Sequence, residues 1–218
     1  MSIAFQGKPY RYNEDFAESC GDLIILTSDG QALKTDSELL KTASPVFDSM
    51  LSRLSLDHSS SAIKLYLQTI RDEAIDFTDI TYETFKETLN MCLKYETKMQ
   101  GLGLLGQINE GKGVIGHFGA ENGFELFCLM PNFNDMLTSC RIIKDVRSRT
   151  VNNTKYGDFW NPQLWKQDTI KDVRGDWVWA YLYAHNPTKY PRGSKDYWED
   201  VSNRFLRLLC GVYDTVVI

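Results

Sequence analysis

The residues best spaced for chemistry are Gly101-Leu102-Gly103-Leu104-Leu105-Gly106, a literal G-x-G-x-x-G. That fingerprint binds dinucleotides when it joins a strand to a helix, so that the helix N-terminal amides face the pyrophosphate. Here the preceding segment, Thr84 to Met99, reads as a helix, because Phe85, Leu89, Cys92 and Leu93 recur at helical spacing. Gly106 to Gly111-Lys112 also imitates a phosphate loop, but Gly113 stands where a hydroxyl residue would hold magnesium. A nucleotide-binding enzyme using residues 101–113 is therefore the lesser reading. The seven glycines from Gly101 to Gly119 read instead as a mobile connector between two subdomains.

Other reactive side chains are scattered. His58, His117 and His185 have no Cys, Asp or Glu at zinc-motif spacing, and no C-x-x-C exists. A serine–histidine–carboxylate triad can assemble from distant positions, but no G-x-S-x-G elbow supports one. No catalytic residue and no cofactor is expected. The five cysteines (Cys20, Cys92, Cys128, Cys140, Cys210) are odd in number and far apart. Cys92 and Cys128 sit in apolar helical patterns as small hydrophobes, which fits a reducing, intracellular setting, cytoplasm or nucleus. The sequon Asn152-Asn153-Thr154 would then meet no glycosylation enzyme.

A net charge of −5 lacks the basic field that replaces phosphate counterions, so no nucleic-acid partner is expected. Lys189, Arg192 and Lys195 form a small patch that reads as a solvated loop. No run nears the roughly 20 apolar residues of a membrane span, so no membrane partner is expected. With 218 residues, the chain can bury a large core or two smaller ones.

The elements that must position any site begin at Gly21 to Leu51. Leu23 to Leu26 is a short apolar strand, and Ser28-Asp29-Gly30 is a hairpin signal. Ala32 and Leu33 return. Asp36 or Ser37 caps a helix bearing Leu39 and Leu40, and Ser44-Pro45 starts another, with Val46, Phe47, Met50 and Leu51 as its stripe. Arg53 to Asp57 alternates as a third strand. Ser59 to Ser61 open a helix containing Ile63, Leu65, Tyr66, Leu67 and Ile70, and Asp76 to Thr81 cap the Phe85 helix. Residues 1–18 read as a loosely held arm.

All five tryptophans lie between Trp160 and Trp198. Phe124 to Met130 and Phe133 to Val146 read as two helices separated by Pro131, and Arg141 to Arg149 gives the second a solvated basic face. Trp177, Trp179, Tyr181 and Tyr183 stand two apart, and read as helical core in preference to an exposed hot spot. The closing helix runs from about Asp196 to Cys210, with Gly211 as its stop. Val216-Val217-Ile218 reads as a buried tail or a truncated end.

Asp22 to Leu26, the Ser-Asp-Gly turn, Leu39-Leu40, Ser44-Pro45-Val46-Phe47 and Met50-Leu51 resemble, in order and spacing, the start of a BTB/POZ domain of the fungal type. Asp36 stands where that family usually has His, and the link before Arg53 is short. The resemblance implies an α+β fold, a BTB/POZ-like small sheet with a helical cluster, followed by a mostly α-helical C-terminal part. It divides the chain into an arm (1–18), a BTB/POZ-like domain (19–100), a glycine-rich connector (101–122) and a helical, Trp-rich region (123–218). It further implies a non-enzymatic protein–protein interaction module. Such a module self-associates as a homodimer or recruits a protein partner, in some branches a cullin ubiquitin ligase. By that resemblance Leu39 and Leu40 lie near a dimer surface, and Tyr66, Ile70, Phe77 and Tyr82 lie where a cullin-type partner docks. A BTB relative that does not associate is the remaining alternative.

Overall fold

The structure, a computed structural model, describes residues 2–14, 21–48, 53–145, 165, 170–185, 190 and 194–211. It is a mixed α/β chain of two compact units, Met1–Leu104 and Leu105–Ile218. Among the described residues no helix is long and apolar enough to cross a membrane.

The first unit is built on a five-stranded sheet in the order β1-β2-β4-β3-β5. Strands β3 (Leu23–Leu26) and β4 (Gln31–Thr35) pair antiparallel from Leu23↔Thr35 to Leu26↔Ala32. The Asp-Gly signal between them forms a tight turn, with the Gly30 amide on the Thr27 carbonyl at 3.2 Å. Gly30 has φ +79°, a conformation in which a Cβ would be strained. Gly21 is required for another reason: a Cβ there would lie 2.0 Å from the Thr35 carbonyl oxygen. The turn is also tied to helix α3 (Ser60–Ile70), because Asp29 accepts from the Ser60 amide at 3.1 Å and hydroxyl at 2.6 Å.

Local capping chemistry starts the helices of this unit. Asp36 accepts from the Glu38 amide at 2.9 Å and opens α1 (Ser37–Ala43), while Asp22 accepts from the Ser37 amide and hydroxyl. Ser44 accepts from the Val46 amide to open α2 (Pro45–Asp48) and donates to the Tyr95 carbonyl. Strand β5 (Arg53–Ser55) runs parallel to β3, two residues shorter than the alternation of 53–57 suggests. Ser59 caps α3, and Thr81 caps α4 (Tyr82–Lys94). Ile63, Leu67, Phe85, Leu89 and Cys92 close the interior between the two helices.

Residues 2–12, expected as part of a loosely held arm, form two strands. Strands β1 (Ser2–Phe5) and β2 (Lys8–Tyr12) form a hairpin, and β2 joins β4 in parallel through Arg11↔Gln31 and Tyr12↔Ala32. Ile3, Phe5, Tyr10 and Tyr12 are its half-buried positions at strand period, which is why this stretch pairs with the sheet.

The segment 101–122, expected as a connector, is largely helical. Helix α5 (Lys98–Glu110) carries Gly101, Gly103 and Gly106 inside it, and α6 (Gly113–Phe118) follows. Each interior glycine costs a helix about 1 kcal/mol relative to alanine. Leu104, Leu105 and Ile108 are fully buried, worth about 1.5–3 kcal/mol each, so burial wins. Helix α7 (Ala120–Phe133) continues through Pro131 and stops at Asn134, φ +58°, whose amide returns to Met130 and Pro131. The break expected at Pro131 therefore lies three residues later, where a left-handed residue ends the helix.

Helix α8 (Met136–Asp145) packs on α10 (Lys195–Leu209) through a reciprocal contact. The Ser202 hydroxyl donates to the Cys140 carbonyl at 2.9 Å, and the Cys140 thiol donates to the Ser202 carbonyl at 3.6 Å. The core of this unit is aromatic, with Phe127, Trp177 and Tyr181 of α9 (Gly175–Ala184), and Phe205 all buried. Residues 146–149 of the basic stretch, the Asn152 sequon, residues 158–164, the side chains of the Lys189 patch and the tail 212–218 lie outside the described residues.

Candidate functional site

The glycine fingerprint does not form a phosphate cradle. Gly101, Gly103 and Gly106 lie within α5, and the Gly101 amide already donates to the Thr97 carbonyl at 3.2 Å. Amides inside a helix are spent on carbonyls four residues back, so none is left in a row for pyrophosphate.

One serine, one histidine and one carboxylate do converge. Glu87 of α4 accepts from the Ser59 amide at 3.1 Å, from the Ser59 hydroxyl at 2.6 Å and from His58 Nδ1 at 3.1 Å. An ionised carboxylate only accepts, so the Nδ1 proton points at it. Burial pushes the Glu87 carboxyl up, but the Ser59 hydroxyl and amide and His58 together hold it below its ordinary range. The order is the wrong one for nucleophilic catalysis, because the imidazole must stand between hydroxyl and carboxylate. Here the carboxylate stands in the middle, and the serine oxygen also accepts from the Ala62 amide as a helix cap. The cluster is a structural knot joining α4 to the start of α3.

His185 places Nδ1 2.6 Å from the Tyr197 hydroxyl among the rings of Tyr181 and Trp198, and burial lowers the His117 imidazole. Burial pushes the Cys92 and Cys128 thiols up to about 12 and Cys140 to about 11, which disfavours their thiolate forms. Among the described residues no group of three or more His, Cys, Asp or Glu could hold a metal ion.

The six residues expected at partner surfaces separate by burial. Leu40 and Tyr66 are each 1% exposed and belong to the core. Tyr66 packs against Phe47 at 6.4 Å and Tyr95 at 6.0 Å between ring centroids, and its hydroxyl accepts from Thr97 at 3.2 Å. Neither can touch a partner without opening the unit, so both belong to the interior and not to the expected partner surfaces. Helical period explains this: Leu39 and Leu40 are adjacent, and only one can face inward fully. Leu39 on α1, Ile70 at the end of α3 and Phe77 after it are half-buried. Phe77 lies edge-on to Phe85 at 6.2 Å, and Tyr82 opens α4 at 7% exposed with the Lys86 ammonium 6.0 Å over its ring. Asp76 fixes the approach to α4 by accepting from the Thr78 amide at 2.9 Å.

In the second unit the aromatic ladder divides between two faces of α9. Trp177 and Tyr181, one turn apart, are buried. Trp179, Leu182 and Tyr183 are 37%, 43% and 51% exposed, with the Trp179 and Tyr183 rings 4.6 Å apart. A spacing of two on a helix of 3.6 residues per turn puts alternate members on different sides, and that signal was present in the spacing. Exposed aromatic groups of this kind are the usual anchors of protein contacts. Comparison of the chain with protein-family models, curated proteins and solved structures finds no match.

Proposed function

We propose that this chain is a BTB/POZ-like protein–protein interaction module that self-associates and recruits a protein partner without bond chemistry. The observation that carries this reading is the order of elements around Gly21. An antiparallel hairpin (β3–β4), two short helices (α1–α2), a strand parallel to the first (β5) and two longer helices (α3–α4) follow one another. The order of these elements supports the reading; their pairings go beyond what the resemblance implies. Asp36, in the position where the family usually has His, serves as the cap of α1.

Leu39, half-buried on α1, is the apolar side chain available for a homodimer contact once Leu40 is assigned to the core. Tyr82 at the start of α4 is buried and belongs to the core, whereas Ile70 and Phe77, half-buried, offer a second surface suited to a cullin-type partner. Association removes these side chains from water at about 25 cal/mol per Å2 and is opposed by lost rotational and translational freedom. A dimer therefore needs more surface than Leu39 alone supplies, roughly 800 Å2 from each partner.

Size-exclusion chromatography with light scattering on the chain and on Leu39→Asp tests this reading. A dimer for the parent chain and a monomer for the folded variant are the expected results; identical masses would overturn the role of Leu39. A purified cullin N-terminal domain added in a second arm should bind the chain and lose affinity with Phe77→Ala. Unchanged binding removes the second surface.

A further inference from the structure

An open cleft of about 740 Å3 lies in the first unit, where the β1–β2 hairpin meets the Asp29-Gly30 turn and α3. Its floor is rigid. The Arg11 amide donates to the Gly30 carbonyl and the Asn13 amide to the Ala32 carbonyl, each at 3.0 Å. The Asn13 side-chain amide donates to Gln31 Oε1, which leaves the Gln31 NH2 group as a donor toward the cleft. Among the described residues neither the Arg11 guanidinium nor Gln31 Nε2 has a hydrogen-bond or ion-pair partner, and Arg11 is exposed. Lys64 of α3 also lines the cleft but is engaged in an interaction of its own. Gly30 adds openness, since nothing lies within 4 Å of where its Cβ would stand.

The two carboxylates that share the lining, Asp29 and Glu14, set the charge the cleft accepts. Asp29 is already engaged by Ser60 and Thr27 and stays ionised, and Glu14 is exposed at the mouth. Two carboxylates in the lining disfavour a polyanion. With Asp29 engaged by Ser60, the fork of Arg11 and the Gln31 amide match one compact carboxylate.

We infer that this cleft binds a carboxylate group of a short acidic peptide, held by Arg11 and Gln31. The site stands apart from self-association, and a monomeric chain would carry it equally.

Isothermal titration calorimetry on the full chain tests it with three probes: a capped tetrapeptide with one glutamate, its glutamine counterpart, and inorganic phosphate. The glutamate peptide should bind saturably, and the glutamine peptide and phosphate each at least about tenfold more weakly, as loss of a charge-assisted pair requires. Arg11→Gln should weaken the glutamate peptide about tenfold with the circular dichroism spectrum unchanged, and Glu14→Gln should tighten it. No saturation, equal binding of the glutamine peptide, tighter binding of phosphate, or indifference to Arg11→Gln would each overturn the assignment. Because Glu14→Gln should act in the opposite direction, a general loss of folding cannot imitate the expected pattern.

Discussion

Replacing Glu87 by alanine should loosen the first unit at the junction of α3 and α4. The carboxylate accepts three hydrogen bonds, from the Ser59 amide, the Ser59 hydroxyl and His58 Nδ1, at 3.1, 2.6 and 3.1 Å. Hydrogen bonds to a charged group contribute about 1.5–3 kcal/mol each where water is excluded. The Glu87 side chain is 31% exposed, so water can replace part of each bond, and a total near 2 kcal/mol is expected. For a chain of this length that corresponds to a fall in melting temperature of about 4–8 °C. Urea denaturation followed by far-UV circular dichroism measures it. Ser59→Ala should cost about 1 kcal/mol for the lost cap plus its share of the Glu87 contact, and the double variant should show a coupling of about 1 kcal/mol.

Acid should reveal the same knot. Because the folded Glu87 carboxyl is held below its unfolded value, its contribution is fully present above about pH 4.3 and is lost as pH falls through the folded value. Parent and Glu87→Ala stabilities should therefore converge in acid. A difference below about 0.5 kcal/mol at neutral pH, or a difference that persists unchanged in acid, would refute the reasoning.

Three further outcomes follow from the packing. Phe47→Ala should cost about 3–5 kcal/mol, because the ring is 3% exposed and stacks on Tyr95 at 4.8 Å; chemical denaturation measures it. On α9, Trp177→Ala should destabilise by a similar about 3–5 kcal/mol, whereas Tyr183→Ala should cost under about 1 kcal/mol, and parallel thermal melts distinguish the two faces. Gly103→Ala and Gly106→Ala should each stabilise by about 0.5–1 kcal/mol, since nothing lies within 4 Å of either added Cβ in a helix, and a higher melting temperature reports it.

What could be read before folding was the chemistry that is local in the chain. The Asp29-Gly30 turn and the caps at Asp36, Ser59 and Thr81 each need only a few neighbouring residues, and each sits where its side chain suggests. The β1–β2 hairpin escaped because its alternating Ile3, Phe5, Tyr10 and Tyr12 are only half-buried and its parallel docking on β4 joins residues some twenty apart. Gly101 to Gly106 misled because glycine marks mobility only where nothing pulls the chain into order, and here Leu104, Leu105 and Ile108 do. Leu40 and Tyr66 were placed on a surface by family position, while their own apolar character and helical phase put them inside. The Glu87 knot was out of reach, since Ser59 and Glu87 are 28 residues apart and neither carries a motif.

Sedimentation velocity over a dilution series tests self-association most directly. The expected result is a species of twice the 25.0 kDa chain mass that dissociates on dilution, with that equilibrium shifted toward monomer in Leu39→Asp. A single species of 25.0 kDa at every concentration would contradict it.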